Sequence, residues 1–139
     1  MDKSENYIKM CKQAIEVQQL WKRDDGDFAY TEGDLDCYPE GTRLIWHSKM
    51  TNSGYHNWDS NWYMPEGCVW LPRQDQLQSL VMPEFEVYGC DAIEHFMDVF
   101  HGFQEENNPL FDSMEELTLA FVMEQNYQKK WNGSMWVKA

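Results

Sequence analysis

The chain has 139 residues, 42% hydrophobic and 15% aromatic, and a formal net charge of −13 from 24 acidic and 11 basic residues. That length suits one domain with a core of its own, and the aromatic load excludes a disordered polyelectrolyte. The negative field disfavours direct binding of nucleic acid through a basic face, and of anionic lipid.

In chain order, Ser4–Arg23 predicts a helix. Tyr7, Ile8, Cys11, Ala14, Ile15 and Trp21 recur at three- and four-residue steps, Ser4 suits the N-cap, and Gly26 after Asp24 and Asp25 suits a left-handed stop. Phe28–Tyr30 reads as a short strand and Thr42–His47 as a second, separated by a turn-rich acidic stretch. Ser48–Gly67 reads as a long loop or a loosely paired hairpin, and Cys68–Leu71 as a third strand.

Pro72 fits the first turn of the next helix, Gln74–Met82, with Leu77, Leu80 and Val81 inward and Pro83 as its end. Asp91–Glu106 predicts a helix whose Ile93, Phe96, Met97, Phe100 and Phe103 form one apolar face, broken by Asn107-Asn108-Pro109. Ser113 and Glu116 have the spacing of a capping box, opening a helix that turns Leu117, Phe121 and Tyr127 inward. Asn132-Gly133 marks a tight turn between Trp131 and Trp136. The sum is one α+β domain over residues 1–139, a small antiparallel sheet of about three strands packed against three to four helices.

Cys11, Cys37, Cys68 and Cys90 form no close pair of the zinc-ribbon or thioredoxin type. The first residues hold no apolar signal core, and no apolar run is long enough to span a membrane. An intracellular protein with reduced, mostly buried thiols is expected, without a cofactor. G-x-S-x-G, P-loop, H-E-x-x-H and G-x-G-x-x-G patterns do not occur, which leans away from catalysis.

Glu94, Asp98 and His101 share one helix face and could hold a metal ion, with His95 nearby; the plainer alternative is the solvated side of an amphipathic helix. His47, His56 and Asp59 would need to converge for a hydrolytic or metal role; the alternative is a loop pinned by Trp58 and Trp62 packing on the body. Tyr55, Trp58, Trp62 and Tyr63 form either a contact platform or extra core. Cys37, beside Asp36, is a poor nucleophile because acidic neighbours disfavour the thiolate. In Trp70–Leu80, Gln74, Gln76 and Gln78 are spaced by two and so leave a helix in different directions. That stretch reads as a strand-to-helix joint. Arg73 is its one open binding candidate, free to pair with an acid of the next helix or of a partner, and its loss is expected to leave the fold intact.

The string WLPRQDQLQSL, the ending FVMEQNYQKKWNGSMWV and a GDFAY strand after a helix ending in Trp-Lys resemble small functionally uncharacterised proteins encoded by bacteriophages and prophages of Gram-positive bacteria. The resemblance covers about the first thirty residues and Val69 to the C-terminus, loosely between Cys90 and Asp112. It implies a phage origin and the cytoplasm of a bacterial host, and supplies no catalytic residues. Three functions follow as expectations. The first is a non-catalytic accessory protein acting on a protein partner or as a homo-oligomer. The second is an acidic nucleic-acid mimic or inhibitor of a host protein, and the third a small metal-dependent enzyme using the His, Asp and Glu groups.

Overall fold

Ser4 begins the first helix as expected: its hydroxyl accepts the Tyr7 amide N–H at 3.0 Å, and α1 runs over Glu5–Gln13. In the computed structural model, residues 1–22, 24, 26–31, 41–44, 68–85, 91–107 and 110–139 are described. The helix expected to continue to Arg23 instead breaks at Ala14 (φ −81°, ψ 64°), and α2 covers Ile15–Gln19. Alanine is the best helix former, so local propensity does not explain the break. Its partners are tertiary. The Trp136 indole donates to the Met10 carbonyl and the Gln13 side chain to the Ser134 carbonyl, while the redirected α2 carries Gln18 to a sheet edge.

Strands β1 (Phe28–Thr31), β2 (Gly41–Leu44) and β3 (Val69–Leu71) form one antiparallel sheet in the order β2-β1-β3, with Ala29 opposite both Arg43 and Trp70. The part of the second expected strand beyond Leu44 lies outside the described residues. All three β3 residues are buried, where alternation would bury one face only. Helix α1 packs on β3 from one side, and Trp70 stacks on Trp21, with rings parallel within 2° and 6.1 Å apart. Gln18 covers the open edge. Its amide donates to the Trp70 carbonyl at 2.9 Å and accepts the Trp70 N–H at 2.8 Å, standing in for a fourth strand.

Helices α3 (Gln74–Phe85), α4 (Ala92–Asn107) and α5 (Met114–Tyr127) follow. Pro83 does not end α3, as the sequence suggests it should, but lies in its last turn. The proline's missing N–H removes one ladder bond and its ring crowds the preceding turn, and the helix stops two residues later. Helix α5 is the centre of the molecule. Its residues Glu116 to Met123 are buried without interruption, so it is packed on all sides and not along one stripe. Phe121 receives Phe96, Phe100 and Phe103 of α4 edge-on, at 5.9, 5.1 and 5.3 Å between ring centres. Two residues assigned to that apolar face depart from it: Ile93 and Met97 are 69% and 57% exposed.

The C-terminal turn is a hairpin of β4 (Lys129–Trp131) and β5 (Trp136–Lys138), with Trp131 opposite Trp136 and Gly133 at φ 89°. Asn132 caps the turn, its side-chain oxygen accepting the N–H groups of Ser134 and Met135. Lys129 bonds Glu16 of α2, and this contact holds the Glu16 carboxyl below its ordinary range. The architecture is thus α+β, with a three-stranded antiparallel sheet, a separate two-stranded hairpin and five helices among the described residues.

Candidate functional site

Arg73 is the first sequence candidate. It leaves the β3–α3 joint and is engaged inside the chain through each of its three guanidinium nitrogens. Nη1 donates to the Gly26 carbonyl at 2.7 Å, and Nε and Nη2 to the Asp75 carboxylate at 3.1 and 3.2 Å. The pairing holds the Asp75 carboxyl below its usual range. Nη1 also lies 3.7 Å from Asp27, which is 1% exposed. Asp27 accepts from the Trp21 indole at 2.8 Å, the Asp24 amide at 3.0 Å and the Gln76 side chain at 2.5 Å. Gln76 in turn accepts the Arg73 amide N–H at 2.9 Å.

The polar string Arg73-Gln74-Asp75-Gln76 therefore reconvenes in part, around a carboxylate brought from the α2–β1 turn. A buried charge needs this many partners to offset its lost hydration. Arg73 is better described as a brace between two chain segments than as a free recognition group. Arg73→Ala should keep the fold but lower unfolding free energy by about 1–3 kcal/mol, because Asp27 loses its cation and Gly26 a donor. Leu77→Ala, at a fully buried position, should cost about 2–5 kcal/mol. Urea unfolding of both variants tests this, and wild-type stability for Arg73→Ala would refute the brace.

A second buried carboxylate joins two helix starts. Glu116, 1% exposed, does not complete the expected reciprocal capping box. Ser113 Oγ accepts the Glu116 N–H at 3.1 Å, but the Glu116 carboxylate turns to the Asp112 N–H at 3.0 Å instead of that of Ser113. It also accepts from Asn6 at 2.8 Å and Ser4 at 3.2 Å, both at the start of α1. Asp2 receives the Ser113 hydroxyl and the Ser4 amide. Two helix N-termini, each carrying partial positive charge, so meet around two carboxylates. Every contact is internal, and the cluster is a joint.

Glu94, Asp98 and His101 do share the exposed side of α4. His101 lies 3.5 Å from Glu105, four residues on. Glu94 and Asp98 line an open depression of about 290 Å³ with Asp91 and His95. Among the described residues, no group of three or more His, Cys, Asp or Glu side chains is placed to hold a metal ion. His47, His56 and Asp59, together with Tyr55, Trp58, Trp62, Tyr63 and Cys37, lie outside the described residues. Cys11 is a free, buried thiol whose pKa burial pushes up, and Cys68 is half-buried. Among the described residues, no helix is long and apolar enough to cross a membrane.

What the sequence reading missed is the order of side chains around α4. At 3.6 residues per turn, the buried row Phe96, Phe100 and Phe103 is followed by Ile93 and Met97, and then by Glu94, Asp98, His101 and Glu105. An exposed apolar edge thus borders an acidic one. A signal was present in the sequence: residues 74–128 contain twelve Asp and Glu and no Lys or Arg, so nearly all the net charge resides there. Compared with protein-family models, curated proteins and solved structures, the chain has no significant match.

Proposed function

We propose that the chain is a non-catalytic accessory protein, of phage or prophage origin as its Trp70–Leu80 string implies, working through contact with another protein in a bacterial cytoplasm. One observation carries the contact reading. Helix α4 buries its aromatic row yet leaves Ile93 and Met97, one turn apart, in water. The exposed part of such a side chain gains nothing from folding, and removing it from water against a partner stabilises a complex by about 25 cal/mol per Å² of apolar area. Methionine is well suited to such a surface because its flexible thioether adapts to the shape it meets.

The acidic row beside this pair supports a second reading, in which the carboxylates imitate a nucleic acid and occupy the binding face of a basic host protein. The two readings differ in which side chains matter. In a tagged-protein capture from host lysate, Ile93→Asp/Met97→Asp should lose the partner that wild type retains while remaining folded, with only a modest fall in melting temperature because both positions are largely exposed. Equal capture by wild type and variant would overturn the contact reading. Loss only on neutralising Glu94 and Asp98 would favour mimicry.

A further inference from the structure

We infer that the exposed edge of α4 docks a basic amphipathic segment, most simply a helix with apolar residues on one face and Lys or Arg beside them. The inference rests on the contact reading above and adds the chemistry of the occupant. Ile93 and Met97 offer an apolar strip one helical turn long. Glu94, three residues from Met97, borders it and Asp98 lies one step further round the helix; neither makes an ion pair among the described residues. They face the depression shared with Asp91 and His95, whose volume of about 290 Å³ leaves room for an ammonium or guanidinium head.

No cation from this part of the chain competes, since residues 74–128 hold no Lys or Arg. A Lys or Arg stem can lie along Ile93 and Met97 while its charged end reaches the carboxylates. Amphipathic helices are read in this way, through anchors spaced three and four residues apart. A second copy of this chain is a poor occupant, because two such helices would bring like charges together at the point of contact. A phosphate backbone or an anionic bilayer meets the same repulsion.

The test is calorimetric titration of the full chain with three synthetic peptides: a Leu/Lys helix with leucines at i, i+3, i+4 and i+7, the same helix with Glu for Lys, and oligolysine. The Leu/Lys helix should bind about tenfold or more tightly than oligolysine, and the Glu version should not bind. Ile93→Asp/Met97→Asp should weaken the Leu/Lys helix by about tenfold or more. Glu94→Gln/Asp98→Asn should weaken it severalfold and flatten its dependence on salt. Ile93→Ser/Met97→Ser, which adds no charge, should fall between wild type and the Asp pair.

Equal affinity for oligolysine, or unchanged binding in the Asp pair, would overturn the inference. So would an Ile93-dependent dimer in sedimentation that the Leu/Lys helix does not compete away. If none of the peptides binds while cellular capture still depends on Ile93 and Met97, the basic occupant is wrong and the contact reading stands. If capture is also indifferent to those residues, the contact reading itself fails.

Discussion

Phe121→Ala should lower the free energy of unfolding by about 3–5 kcal/mol, one of the larger losses expected from a single truncation among the described residues. Phe121 is fully buried in a helix that is itself enclosed, and three phenylalanine rings of α4 end on it. Removing the ring takes away its own transfer free energy and the edge-to-face contacts. It also leaves a cavity that cannot collapse easily, because the opposing rings belong to a helix anchored by its other contacts. Phe100→Ala removes one of those three partners from a slightly exposed position and should cost less. Chemical denaturation of the two variants gives the comparison. A Phe121→Ala protein within about 1 kcal/mol of wild type would mean that α5 is not the central element.

Glu116→Ala should cost about 3 kcal/mol or more, which is unusual for a charged residue. A solvated glutamate in the first turn of a helix contributes a few tenths of a kcal/mol through the helix dipole. Here the carboxylate is buried and takes hydrogen bonds from the Asp112 amide, the Asn6 side chain and the Ser4 hydroxyl. Alanine leaves those donors without an acceptor at a place where water has little access. Glu116→Gln separates the contributions. Its amide oxygen can still accept from Asn6 and Ser4, but its NH₂ would confront the Asp112 N–H, so an intermediate loss is expected. Thermal unfolding of the Ala and Gln variants checks the order. Equal stability of Glu116→Ala and wild type would show that the α1–α5 joint does not depend on this carboxylate.

Both predictions concern features that the sequence shows only in part. Ser113 and Glu116 stand at capping-box spacing, and Ser113 does cap α5. That Glu116 would reach across to α1 depends on Ser4 and Asn6, more than a hundred residues away in the chain. Phe121 is visible as an apolar residue in a helical pattern. Burial around the whole of α5 instead depends on elements packing against it from several directions.

The candidate site divides in the same way. The spacing of Glu94, Asp98 and His101 correctly places them on one exposed side of a helix. The same periodicity assigned Ile93 and Met97 to the core with the phenylalanines, because an apolar pattern reports which side chains dislike water and not how wide a strip the neighbouring helix can cover. Arg73 was legible as a residue in search of an acid. Its partners, Asp75 nearby and Asp27 from a distant turn, became identifiable only when β1 and β3 paired.

Local signals therefore determined the positions of β1, β3 and the described part of β2, the later helices, the N-caps at Ser4 and Ser113, the positive φ of Gly26 (though the helix before it has its C-cap at Leu20) and the Trp131–Trp136 turn. All of these rest on short-range sterics and hydrogen bonds that neighbouring residues supply. Tertiary structure alone decided the break at Ala14, the sheet edge closed by Gln18, the two buried carboxylate joints and the exposure of the Ile93–Met97 edge. Each of these depends on which distant surface arrives against a given residue, and a single residue's burial cost or gain has no value until that surface is in place.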